Sequence, residues 1–178
     1  MSDPIQLLER RRPFRGRVVD LRVDRIRLAN GHETELEVIQ HPGAAAVVAL
    51  DSEGQVLLVR QYRYATGERL LEVPAGKLDG GEEPEACAAR ELIEETGQAA
   101  GSLEPLGWIW TTPGFTDERI WLYLGRDLTA AEQALEPDEI LEVERLPLAT
   151  AVEQAATGEI RDSKSVVALL RAGRLLGV

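Results

Sequence analysis

The stretch Gly76-Lys-Leu-Asp-Gly-Gly-Glu82-Glu-Pro-Glu-Ala-Cys-Ala-Ala-Arg90-Glu91-Leu92-Ile93-Glu94-Glu95-Thr96-Gly97 decides how this chain is read. Its pattern predicts a helix over about 83–96. Pro84 falls in the first turn, where a missing N–H is harmless, and Gly97 follows the last turn as a C-cap. Glu91 and Glu95 are four apart, so their carboxylates share one helix face. Like charges at that spacing cost an isolated helix a few tenths of a kcal/mol. Both also lie toward the negative, C-terminal end of the helix dipole. A bound divalent cation reverses both penalties, and hard oxygen donors suit Mg²⁺, with Mn²⁺ as the alternative. Arg90 and Glu94 form a second pair at the same spacing that braces the helix. Glu82, ahead of the helix, is within reach of the metal site or of Arg90. Ala86, Ala89, Leu92 and Ile93 are expected to supply the buried side. For any isolated pair of glutamates at this spacing, a solvated helix face is the better reading; the surrounding string is what distinguishes this pair.

The flanking sequence is organised as strands and two more helices. Val19, Leu21 and Val23 alternate with polar residues, and Asn30-Gly31 is a turn signal after which Glu35–Ile39 pairs back as a hairpin. Ala44–Leu50 and Val56–Arg60 are apolar strands separated by Ser52-Glu53-Gly54. Trp108–Trp110, Ile120–Leu124 and Ile140–Arg145 are further strands. Helices are expected over Leu148–Thr157, closed by Gly158, and over Ser163–Arg171, closed by Gly173. There is no internal repeat or linker. An α+β architecture, a mixed sheet with flanking helices, accommodates this order.

Composition limits the function. The 178 residues are 44% hydrophobic and 29% charged, as in a soluble globular protein. No apolar run is long enough to span a bilayer, and Met1–Gly16 has no apolar core of a secretory signal. Cys87 is the only cysteine, which excludes an internal disulfide and a paired-cysteine zinc site and fits a reducing cytoplasm. The formal net charge is −11, although residues 1–30 hold eight Arg against four acids. Such an excess of acid disfavours general nucleic-acid binding and means that a bound phosphate needs cations between it and the protein.

With Gly76, Glu82, Arg90, Glu91, Leu92, Glu94, Glu95 and Gly97 all in register, the stretch resembles the Nudix box, G-x5-E-x7-R-E-U-x-E-E-x-G-U, where U is a bulky aliphatic residue. Gln98 departs from the final U, a packing position. The resemblance implies an α/β/α sandwich that hydrolyses a nucleoside diphosphate linked to another group. It implies metal binding by Glu91 and Glu95, with Glu94 as a further contributor and the backbone carbonyl of Ala75 as a ligand. Beyond the box, Phe14-Arg-Gly-Arg-Val18, Val59-Arg-Gln-Tyr-Arg63, Leu71-Glu-Val-Pro-Ala-Gly76, Pro113 at 16 residues past Gly97, and Gly158–Val166 are similar to the ADP-ribose pyrophosphatase branch. That branch converts ADP-ribose to AMP and ribose 5-phosphate. GDP-mannose, flavin adenine dinucleotide and NADH are substrates of other members, and some members only bind ADP-ribose without turnover.

The resemblance assigns roles beside ordinary ones. Arg63 would contact the substrate phosphates, for which a bidentate guanidinium is suited, or simply form a surface ion pair. Arg17 and Glu37 match nucleotide contacts, or are strand-face charges. Pro113 and Gly114 shape the pocket on the terminal ribose side, or make a tight turn, and Glu118 contacts the substrate. Glu139 matches the general base, which needs a carboxylate beside a metal-bound water. Its neighbours Glu136 and Asp138 leave that register open. Catalytic roles thus fall to Glu139, Glu94 and Arg90. Trp108, Trp110 and Trp121 are read as core or dimer packing rather than an adenine platform. His32 and His41 are structural or exposed, and Cys87 is a small buried residue rather than a nucleophile. Residues 1–42 are expected to form a strand region that builds a homodimer, and residues 43–178 the Nudix hydrolase domain.

Overall fold

The computed structural model describes residues 5–137 and 139–178. In chain order the elements are β1 (Ile5–Arg15), β2 (Asp20–Leu28), β3 (Glu33–Gln40), β4 (Ala44–Leu50), β5 (Gln55–Arg63), β6 (Glu68–Glu72), β7 (Ala75–Lys77), α1 (Pro84–Thr96), β8 (Gln98–Trp110), β9 (Arg119–Ala130), β10 (Leu141–Pro147), α2 (Leu148–Thr157) and α3 (Ser163–Leu176). They fall into two compact units, one of residues 1–43 and 110–119, the other of residues 44–109 and 120–178. Among the described residues, no helix is long and apolar enough to cross a membrane.

The first unit is built on an antiparallel sheet, β1-β2-β3. The β2–β3 hairpin turns at Gly31, whose φ of 84° suits a residue without a Cβ. Strand β1 was not legible from alternation. Its register slips between Leu7 and Glu9 and again between Arg11 and Phe14. Each bulge resets the inward-outward count, and the second accommodates Pro13, which has no N–H to give a ladder. The loop Thr111–Glu118 joins this unit by bridging Thr116 to Ile39.

The second unit is a mixed sheet ordered β10-β5-β4-β9-β8, with β6 paired to β5 and β7 to β4. The β4–β9 ladder is parallel, Ala44 opposite Ile120. Strand β4 is buried on both faces. Ala44, Ala46 and Val48 join a cluster with Leu58, Leu122, Ala151 and Leu169, the last two from α2 and α3. Ala45, Val47 and Ala49 join another with Leu57, Ala88 and Leu92, the last two from α1. A strand read as one continuous apolar run is therefore the middle layer between helices.

Two expectations about helices need correction. The inward side of α1 is Cys87, Ala88, Glu91, Leu92 and Glu95, not Ala86, Ala89 and Ile93; Ala86 is exposed and the other two are half-buried. The acids lie within the buried stripe rather than beside it. Helix α3 also passes through Gly173 and ends at Gly177, which has φ 76°. Gly173 is small for a packing reason, since a Cβ there would sit 2.8 Å from Val152 Cγ2 on α2. Trp121 does pack on a core cluster, but Trp108 and Trp110 are 44% and 42% exposed, and the Arg119 guanidinium lies 4.7 Å over the Trp110 ring.

Gly173→Val is expected to lower stability by roughly 1–3 kcal/mol through overpacking, although a non-glycine residue favours a helix interior. Thermal unfolding should show Val152→Ala restoring part of the loss in the same chain; an unchanged Tm for Gly173→Val would contradict the close approach.

Candidate functional site

Helix α1 begins at Pro84 and is closed by Gly97, whose left-handed backbone donates its N–H to the Ile93 carbonyl at 2.8 Å. No basic residue lies in its last turn. Glu91 and Glu95 are nevertheless turned inward, 7% and 4% exposed. What they meet is backbone. The Ala75 N–H donates to Glu95 Oε2 at 3.0 Å. Glu91 lies against Gly76 so closely that a Cβ at that position would fall 1.9 Å from its Oε1. Any side chain at 76 would displace this carboxylate, so the glycine is a steric requirement of Glu91. The Glu95 carbonyl is held in turn by Gln133 Nε2 at 2.6 Å.

Arg90 organises the other acids. Its Nε and Nη2 pair with the two oxygens of Glu82 at 2.9 and 3.0 Å. Its Nη1 reaches Glu91 at 2.6 Å and Glu94 at 2.8 Å, and Nη2 reaches the Lys77 carbonyl at 3.2 Å. Glu82 also accepts the Asp79 N–H at 3.1 Å. The Arg90 guanidinium holds Glu82 ionised, down to about 2. Glu82 is thus a partner of Arg90, one of the two positions open to it from the sequence.

Of the inward pair, only Glu91 reaches Arg90, and burial outweighs that contact. Burial pushes the Glu91 carboxyl above its usual value despite Arg90, and the charges of Glu94 and Glu139 add to the effect. Burial pushes Glu95 up to about 8, with Glu91 and Glu139 adding, against the Ala75 N–H and Lys164. Glu139, half-buried in the segment before β10, therefore bears on both carboxylates. Its Oε2 accepts the Glu136 N–H at 2.8 Å, which ties it within its own turn. Asp138, its neighbouring acid, lies outside the described residues. Among the described residues no group of three or more His, Cys, Asp or Glu side chains is arranged to hold a metal ion. The donor set at this face is a pair of carboxylates beside the Ala75–Gly76 backbone.

Arg63, at the end of β5, does form an ion pair, but with a buried acid. Its Nε and Nη2 bind the two oxygens of Glu72 at 2.7 and 2.8 Å. Glu72 is 1% exposed and also accepts from Lys164. Burial opposes its charge, but Arg63 and Lys164 prevail and hold it at about 2. Sequence reasoning missed both Glu72 and Lys164. The available signal was a lone acid in the apolar run Leu70-Leu71-Glu72-Val73. Lys164 carried none, because a lysine in the first turn of a helix ordinarily faces water.

Arg17, Glu37, Pro113, Gly114 and Glu118 all belong to the first unit. Glu37 is exposed on β3 opposite Val23, and Pro113 and Gly114 are exposed in their loop. Glu118 is fixed by Thr111 Oγ1 at 2.8 Å and lies 3.6 Å from His41 Nδ1. His41 is structural: its Nδ1 accepts the Gly43 N–H and its own N–H donates to Asp117. Arg17 lines a cleft of about 400 Å³ with Arg12, Arg15, Gln40 and His41. Cys87 is fully buried and its thiol is pushed up to about 12 by that burial, so it is no nucleophile.

Residues 40–169 match a family model described as NUDIX domain. The chain is similar to an ADP-ribose pyrophosphatase of Bacillus subtilis (strain 168), 40% identical across 88% of this chain and 85% of that one. It is also similar to a methanol dehydrogenase activator of Bacillus methanolicus, 42% identical across 88% and 85% of the two chains. A crystal structure of an ADP compounds hydrolase superposes with a TM-score of 0.86 over 98% of this chain and 95% of that one, at 23% identity, a likeness of fold.

The raised carboxyl of Glu95 fixes the sign of a pH effect. A group protonated more readily in the fold than in the open chain stabilises the fold fully below its unfolded value of 4.5, and that contribution is gone above about 8. Between these limits its contribution falls with rising pH by at most about 1.4 kcal/mol per unit. In metal-free protein, Glu95→Gln should therefore match the parent Tm near pH 4.5 and exceed it at pH 8, and added Mg²⁺ should raise the parent Tm more at pH 8 than at pH 5. Parallel Tm profiles for mutant and parent would refute the inward placement of this acid.

Proposed function

Because this chain belongs to the Nudix family, we propose that it hydrolyses the pyrophosphate bond of a nucleoside diphosphate sugar, with ADP-ribose as substrate and AMP and ribose 5-phosphate as products. The observation that carries the reading is the pair of inward carboxylates, Glu91 and Glu95, on one face of α1 against the Ala75–Gly76 backbone. Members of the family generally need a divalent metal, and the donors here fit one. Two acids whose charged forms the fold disfavours gain from a hard cation, as a solvated helix face would not.

Glu91, Glu95 and the Ala75 carbonyl would hold the cation, Mg²⁺ with Mn²⁺ as a substitute. Bound there, it supplies neutralisation of pyrophosphate charge and an acidified water. The protein does the rest. Arg90 keeps the acids of the site fixed by binding Glu82, Glu91 and Glu94 at once. Arg63 offers the substrate phosphates the N–H groups it has not spent on Glu72. Glu139 receives the proton of the attacking water, with Glu94 the box glutamate that stands in if it does not. Water oxygen joins one phosphorus as the bridging P–O bond breaks. Phosphoryl transfer asks mainly for positioning and charge neutralisation, and both come from this arrangement. Arg17, Glu37, Pro113, Gly114 and Glu118 are proposed as substrate contacts on the strength of the resemblance alone.

The same reading makes the chain a homodimer through residues 1–42, supported by exposed Ile5, Leu7, Phe14, Val18 and Leu36 in the first unit, and cytoplasmic, supported by the single free Cys87. Light scattering tests the first.

The decisive assay is release of AMP from ADP-ribose with Mg²⁺, run beside GDP-mannose, flavin adenine dinucleotide and NADH. ADP-ribose should have the highest kcat/KM. Glu95→Gln should lose several kcal/mol of transition-state stabilisation, about a hundredfold or more in kcat. Glu139→Gln should lower kcat with KM little changed. Tight ADP-ribose binding without turnover would instead identify a sensor module.

A further inference from the structure

A lysine is buried in this chain where two physical costs coincide. Lys164 is the second residue of α3 and is 9% exposed. Its charge is largely removed from water, and it lies at the positive end of the helix dipole. Both costs are met by acids. Lys164 Nζ donates to Glu72 Oε2 and lies 3.0 Å from Asp162 Oδ2, the N-cap of the same helix. Glu72 is therefore shared between two cations, Lys164 from α3 and Arg63 from β5.

The two cations differ in access. The Arg63 side chain is 42% exposed and that of Lys164 is 11%. Of the five N–H groups of a guanidinium, Arg63 gives two to Glu72, side-on through Nε and Nη2. Its Nη1 makes no hydrogen bond to a described residue. A bidentate pair of this kind fixes the plane of the guanidinium, and that plane is only as well placed as the carboxylate beneath it. The same turn of α3 grips the neighbouring backbone as well. Ser165 Oγ accepts the Val73 N–H at 2.8 Å and donates to Asp162 Oδ2 at 2.5 Å.

We propose that Lys164 is a positioning residue for substrate binding: by pinning the buried carboxylate of Glu72, it sets the orientation in which Arg63 presents its remaining N–H groups to a substrate phosphate. This rests on the assignment of Arg63 to the phosphates made above. Lys164 itself touches no substrate. Without Nζ, Glu72 keeps Arg63 as a partner but can turn, and Arg63 turns with it.

A double-mutant cycle tests this, with Lys164→Met, Arg63→Ala and the pair, measured as kcat and KM for ADP-ribose with saturating Mg²⁺. Lys164→Met should lower kcat/KM by about ten- to a hundredfold, as misplacement of a binding group does, mostly through KM. In the Arg63→Ala background the same change should have little further effect, because its route is already gone. Lys164→Arg, which retains a charged donor toward Glu72, should recover part of the loss. Should Lys164→Met fail to fold, Lys164→Gln serves in the same cycle. Fully additive losses, or an unchanged kcat/KM in the single lysine variant, overturn the proposal. An Arg63→Ala variant with parental kcat/KM fails differently: it removes the phosphate assignment on which the proposal stands.

Discussion

Two carboxylates turned inward on one helix face are the constraint to which the second unit is fitted. Burying like charges side by side is unfavourable, and α1 offers no cation in its last turn to offset it. The surroundings of Glu91 and Glu95 are arranged around that fact. Glycine at 76 leaves room for one acid, an Ala75 N–H meets the other, and Arg90 ties Glu91 to the outward acids Glu82 and Glu94 and to the Lys77 carbonyl with five hydrogen bonds to oxygen. The pair is expensive to keep charged unless something positively charged lies beside it.

What was legible in the sequence follows from range. Helix α1 and its glycine cap, α2 with Gly158, and the apolar strands β4 and β5 rest on local periodicity and turn chemistry, and they lie where the sequence puts them. The bracket around Arg90 was also within reach, because Glu82, Arg90 and Glu94 are near neighbours in the chain. Illegible features depended on distant partners. Gly173 resembles a helix stop in the sequence, and its packing role shows only against Val152 on another helix. Which face of α1 goes inward is decided by the backbone at 75–76 and by the sheet, and apolar count alone pointed to Ala86, Ala89 and Ile93. Glu72 and Lys164 are far apart in sequence, and only the apolar run around Glu72 hints at burial. Strand β1 was hidden by its own bulges.

The two charge clusters of the second unit answer different needs. Around Arg90, one cation serves several partly exposed acids. Around Glu72, one buried acid serves two cations. The first offsets local negative charge, and the second is balanced, Lys164 sharing Glu72 with Arg63 and lying beside Asp162, with a guanidinium edge toward solvent. An overall charge of −11 conceals this division.

Strand β4 carries a consequence for how the chain reaches this state. With small apolar residues on both faces, its inward-outward pattern cannot tell one pairing register from the next. Register must come from its neighbours, and its long ladder is the parallel one with β9, Ala44 opposite Ile120. A parallel ladder cannot be closed by a tight turn, so the loop-closure entropy of everything between, α1 included, is spent first. The α1 side of the core, where Ala88 and Leu92 meet Val47 and Tyr123, is complete only with that ladder in place, so the burial of Glu91 and Glu95 depends on a long-range pairing.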